Sequence, residues 1–152
     1  MIDFFSLLKW QGFPVKDAFA IWEQIESQQD IHVWQHNKCW EMVQYHYSHN
    51  GGYAECVGNL PSQWSDIPLM NKEVMRQHGM DDEKWLDASL KYYKASTSGS
   101  SGKPFRFAKD YLAHALTWVH VAHCYGMMGV SLNDLQARFY GAPSTSYAKY
   151  FE

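Results

Sequence analysis

The stretch Thr97-Ser98-Gly99-Ser100-Ser101-Gly102-Lys103-Pro104 constrains this chain more than any other part of it. Small hydroxyl residues interleaved with glycines and closed by a proline make a loop, so any ordered elements must stop on either side. The same composition suits a loop wrapped around a polyphosphate. Its glycines let the backbone approach closely, its hydroxyls and amides donate to phosphate oxygens, and Lys103 brings a positive charge. Composition alone also allows a flexible Gly/Ser linker, or an engineered scar of the Ser-Ser-Gly-Ser-Ser-Gly type.

The rest of the chain has the means to fold around such a loop. At 152 residues, with 46% hydrophobic and 16% aromatic residues, it is long and apolar enough for one domain with a buried core. Its 13 Lys and Arg against 16 Asp and Glu form no basic block, which argues against a nucleic-acid partner. Met1 to Trp10 lacks a basic leader and cleavage site, and no apolar run reaches membrane-spanning length. Cys39, Cys56 and Cys124 are odd in number and widely spaced, as expected of reduced thiols in a cytoplasmic protein.

Periodicity divides the chain in two. Val15, Phe19, Trp22 and Ile25 recur at helical spacing, predicting a helix over 15–28. A second is expected over 34–49, with Trp40, Val43 and Tyr47 on one face and Asn50-Gly51-Gly52 ending it. The stretch that follows, through Ser62, reads as loop, and Asn71 as the cap of a short helix over 72–77. Leu90 to Ala95 reads as a strand, Phe105 to Phe107 as its hairpin partner, and Asp110 as the cap of a helix. That helix carries Leu112, Leu116 and Val119 on one stripe, ends near Gly126, and precedes a strand candidate over 135–140. The expected class is therefore α/β: a helical region over 1–66, then over 67–152 a strand, Gly/Ser loop, strand, helix and strand. Open α/β sheets usually bind ligands at such a strand end.

Two familiar phosphate motifs do not fit. In a Walker A loop ending at Gly102-Lys103, the first glycine would fall on Thr97 and the magnesium-binding hydroxyl on Pro104; the Rossmann glycine spacing is absent as well. Thr97 to Pro104 does match, at every fixed position, the pattern [ST]-S-G-[ST]-[ST]-G-x-P. In this it resembles the phosphate loop of adenylate-forming (AMP-binding) enzymes. The flanks resemble the phenylacetate–CoA ligase branch, including its relatives in capsular polysaccharide biosynthesis. Ile67-Pro68-Leu69-Met70-Asn71-Lys72 is similar to that branch's I/L-P-x-x-x-K segment, and Lys103-Pro104 to its G-K-P ending. Gly129-Val130 with Asp134 is similar to its G-[IV]-x-x-x-D stretch, and the Tyr/His/Asn run from Trp40 to Tyr53 to the aromatic N-terminal segment of the polysaccharide relatives. The likeness covers roughly 34–141.

The resemblance implies a ligase that activates a carboxylate substrate with ATP and Mg²⁺, forming an acyl-adenylate and pyrophosphate, with coenzyme A a candidate acceptor. It makes Thr97, Ser98, Gly99, Ser100, Ser101, Gly102 and Lys103 the ATP-binding residues and leaves the catalytic residues unknown. Phe105 stands where many members carry a second lysine. The family's adenine pocket, magnesium ligand, hinge and catalytic lysine lie downstream of this loop, so the chain is expected to be an N-terminal fragment, inactive alone.

The other clusters have plainer readings. The pairs His32/His36, His46/His49 and His120/His123 (the last beside Cys124) lack the three or four ligands zinc requires, and read as polar-face or interface residues. His123 or Tyr125 could line an acyl pocket. Cys124 has His120 one turn away, yet no oxyanion element accompanies it, so a buried thiol is expected. Trp34, Trp40, Tyr45, Tyr47 and Tyr53 could stack bases or sugars, although their helical spacing favours packing. The alternatives to a ligase are a non-catalytic nucleotide- or anion-binding module, or a small interaction module in which the Ser/Gly stretch is only a linker.

Overall fold

The computed structural model describes residues 3–97 and 104–135. Within them the fold is helical with one small sheet. In chain order it comprises α1 (Phe4–Trp10), α2 (Val15–Glu26), α3 (Ile31–His49), α4 (Gly51–Val57), α5 (Lys72–Gln77), β1 (Tyr92–Ser96), β2 (Arg106–Asp110) and α6 (Tyr111–Met127). Single 3₁₀ turns lie at Trp64–Asp66 and Glu83–Trp85.

The core is built where α2 meets α6. Leu8, Phe13, Val15, Ala18, Ala115 and Val119 are buried together, with Trp22, Tyr111, Leu112, Leu116 and Trp118 packed around them. Ala18 and Ala115 are 0% and 1% exposed; their short side chains let the two backbones approach closely. Of the expected α6 stripe, Val119 is buried, while Leu112 and Leu116 pack half-buried against the core. On α2, Val15 and Trp22 face inward, but Phe19 stays 40% exposed and meets Phe5 of α1 edge-on at 5.0 Å.

Several boundaries differ from expectation, each for a local reason. α1 was not legible in the sequence; Asp3 caps it by accepting from the Ser6 amide, and Leu8 anchors it. α3 begins at Ile31 rather than 34, because the Asp30 carboxylate accepts from the amides of His32 and Val33. Asn50 ends α3 and also caps α4, accepting from the Tyr53 amide, so residues 51–57 are helix rather than loop. Gly52 sits there because of a neighbour: a Cβ on it would lie 2.0 Å from the carbonyl oxygen of His78. Asn50 Nδ2 also donates to the Met80 carbonyl at 3.1 Å, tying this junction to the turn after α5.

β1 and β2 form one antiparallel pair, with Tyr92 opposite Asp110 and Ser96 opposite Arg106. The second strand runs three residues further than expected, directly into α6. Asp110 is both the last residue of β2 and the N-cap of α6, accepting from the Ala113 amide. The α/β expectation therefore holds at the level of helices with a small sheet, and the pairing among the described residues is antiparallel. Of the strand candidate over 135–140, Leu135 is irregular and the remainder lies outside the described residues.

Candidate phosphate-binding hairpin

The Ser/Gly stretch joins β1 to β2, so its two ends meet. The Thr97 amide donates to the Phe105 carbonyl at 2.9 Å, and the Phe105 amide donates back to Thr97 Oγ1 at 3.1 Å. Thr97 thus closes the hairpin with both backbone and side chain. Of the residues expected to hold phosphate, Thr97 is placed at this mouth, while Ser98, Gly99, Ser100, Ser101, Gly102 and Lys103 lie outside the described residues.

The exit of the loop is held from a different element. Arg76 of α5 donates from Nη2 to the Pro104 carbonyl at 3.1 Å, and its guanidinium lies 5.8 Å from the centre of the Phe105 ring. α5 is well fixed for this task. Asn71 caps it through the Val74 amide, as expected, and the turn after it is pinned by Trp85 Nε1 donating to the Gly79 carbonyl at 2.9 Å. Lys94 on β1 is engaged with Glu83 at 2.6 Å. Arg76 gave no local signal in the sequence, since its partner lies 28 residues on.

The base of the hairpin rests on α6. The Tyr111 amide donates to the Lys91 carbonyl at 2.9 Å, and the buried His114 is packed between Tyr93 and Phe13. His114 stands outside the three histidine pairs that spacing singles out. Its i,i+4 spacing to Trp118 was the available signal, for the indole N–H donates to His114 Nε2 at 3.2 Å. Burial, with Lys109 nearby as a smaller cause, holds its imidazole below the usual histidine range.

The histidine pairs have separate partners. His36 Nε2 accepts from Trp40 Nε1 at 3.0 Å, and His49 stacks on Tyr45. His46 is held below its ordinary pKa by burial and then by neighbouring His49. His120 stacks on Trp22 across the α2–α6 interface, and His123 faces Glu26 at 3.1 Å. His123 therefore points to α2. The three cysteines are free thiols, and Cys124 is only partly buried, less than expected. Among the described residues, no three His, Cys, Asp or Glu side chains converge on a point that could hold a metal. An open concavity of about 450 Å³ lies at the α2–α3 corner, lined by Gln28, Gln29, Asp30, Trp34 and Asn37 among others.

The segments behind the resemblance are also placed. Asn71 and Lys72 start α5, and Leu69 before them is fully exposed. Gly129, at φ 71°, turns the chain out of α6, and Asp134 Oδ2 accepts from the Ser131 amide. No helix among the described residues is long and apolar enough to cross a membrane. No protein-family model, curated protein or solved structure matches the chain.

Proposed function

We propose that this chain carries the phosphate-binding loop of an ATP-dependent acyl-activating ligase, with Thr97 to Lys103 gripping the phosphates of Mg²⁺-bound ATP. The finer fold assignment belongs to this reading: the hairpin and α6 would open the ATP-binding domain of an adenylate-forming enzyme of the phenylacetate–CoA ligase type. The observation that carries it is the closed hairpin mouth at Thr97 and Phe105, at the ends of the one segment that matches the pattern. A linker between independent units needs no pairing of its flanks, whereas here the flanks are the two strands of one sheet.

In the reaction, an oxygen of the substrate carboxylate bonds to the α-phosphorus of ATP as the bond to the pyrophosphate oxygen breaks. The chain's part is to hold the departing phosphates and stabilise the charge that builds on them. Loop amides and hydroxyls together with Lys103 suit that task, because donors fixed beforehand cost no reorganisation as charge develops. A guanidinium beside the loop exit adds a further positive charge. Attack of the coenzyme A thiolate on the acyl carbon of the adenylate, with AMP leaving, in the cytoplasm, completes the proposal.

The test is equilibrium binding of MgATP to the chain, wild type against Gly102→Ala and Lys103→Ala. Saturable binding weakened by either substitution is expected. A wild-type chain that does not bind MgATP overturns the proposal.

A further inference from the structure

We propose that the concavity at the α2–α3 corner is a binding site for a neutral sugar, whose pyranose ring lies on Trp34 while the side chains around it read its hydroxyls. The proposal is independent of the phosphate-loop reading. It starts from groups that the fold leaves unengaged. Trp34 is half-buried in the wall of this hollow of about 450 Å³. Among the described residues its indole has neither a ring contact nor a hydrogen-bond partner. The side-chain amides of Gln29 and Asn37, which line the same hollow, also make no hydrogen bond among the described residues.

The turn between the helices holds these groups ready. Ser27 Oγ and Gln28 Nε2 both donate to the Gln24 carbonyl, at 2.9 and 2.7 Å, which leaves Gln28 Oε1 as an acceptor. Asp30 accepts both the His32 and the Val33 amide on Oδ1. The start of α3 is therefore already satisfied, and Oδ2 is left over. The wall thus sets donors beside acceptors, and a hydroxyl is the group that answers both. No Lys, Arg or His lines the hollow among the described residues while a carboxylate does, so an anion is disfavoured. An indole offers a flat apolar face with a polar edge, which suits a ring whose C–H face is apolar and whose rim carries hydroxyls. The volume falls within the range of small-molecule sites.

The methyl glycosides of glucose, galactose, mannose and N-acetylglucosamine are titrated into the whole chain, with the backbone amide resonances of residues 27–37 followed by NMR. Cyclohexanol, a ring of the same size with one hydroxyl, and adenosine, a stacking base, serve as comparison probes. At least one glycoside should shift these resonances saturably, in the millimolar range, and bind more tightly than either comparison probe. Trp34→Ala should weaken that glycoside about tenfold, and Gln29→Ala or Asn37→Ala by a similar factor for each hydroxyl no longer read. No saturable shift with any of the four glycosides overturns the proposal. Cyclohexanol binding as tightly overturns it too, because the hydroxyls would then go unread, and tighter binding of adenosine reassigns the hollow to a base. Unchanged affinity in Trp34→Ala, or in both Gln29→Ala and Asn37→Ala, also overturns it. Gln29 and Asn37 are exposed, so those two variants decide the matter if Trp34→Ala does not fold.

Discussion

The imidazole of His114 lies almost flat on the ring of Tyr93, their centres 4.0 Å apart and their planes at 25°. One residue belongs to α6 and the other to β1, so this stack fastens the hairpin to the helix that follows it. Phe13 covers the histidine from a third element, at 4.9 Å. Because the Trp118 indole can only donate, the lone pair must sit on Nε2 and the proton on Nδ1. That Nδ1 is buried without a hydrogen-bond partner among the described residues. A second proton would displace the Trp118 hydrogen bond.

Stability should therefore fall in mild acid. The folded-state pKa of His114 lies below its ordinary value of 6.5, mainly through burial. The folded chain thus binds a proton less readily than the unfolded one. The stabilisation is fully present above pH 6.5 and is lost as pH drops through the depressed value. Urea midpoints measured from pH 8 to pH 5 should decline, and His114→Phe should make that decline shallower. His46 shifts in the same direction, so some slope should persist in the variant. An unchanged slope in His114→Phe would remove His114 as a source of the effect.

Gly52 and Gly126 should respond oppositely to alanine. A Cβ at Gly52 meets the His78 carbonyl oxygen at 2.0 Å, backbone that cannot step aside cheaply. Gly52→Ala should cost about 3 kcal/mol in urea unfolding. A Cβ at Gly126, inside α6, meets nothing within 4 Å, and Gly126→Ala should stabilise by about 0.5 kcal/mol.

Among the described residues, Val119 is the largest side chain buried almost completely, at 2% exposure. Val119→Ala removes two methyl groups from the α2–α6 contact and should cost about 2 kcal/mol by the same measurement. A change below 0.5 kcal/mol would show that this contact does not carry the core.

Asp110→Ala should cost about 1 kcal/mol, because the carboxylate caps α6 through the Ala113 amide at 2.7 Å. Asp110→Asn, which keeps an accepting oxygen, should recover most of it. Equal losses in both variants would assign the effect to charge instead.

What could be read from the sequence was mostly local. An Asn or Asp whose side chain reaches the amide three residues on leaves a signature in three letters, which is why the caps at Asn71 and Asp110 were legible. The stripe of α6 and the alternation around the Ser/Gly loop are likewise short-range patterns. The reverse held for α4, where Gly51-Gly52 reads as a helix end until His78 is known to press against it. α1 is only seven residues long and is held by packing rather than propensity. Arg76 and His114 owe their roles to partners on other elements, which no spacing rule announces.

The core has a consequence for the order in which the chain can assemble. Ala18 and Val15 find their partners in Ala115 and Val119, across everything between α2 and α6. During synthesis the N-terminal helices must wait, apolar faces uncovered, until nearly all of the described chain has left the ribosome. Closing so long a loop is entropically slow, and folding should be correspondingly late. The hairpin, whose strands are joined by a short connection, can form at once. The paired strands would then be in place before the body that supports them.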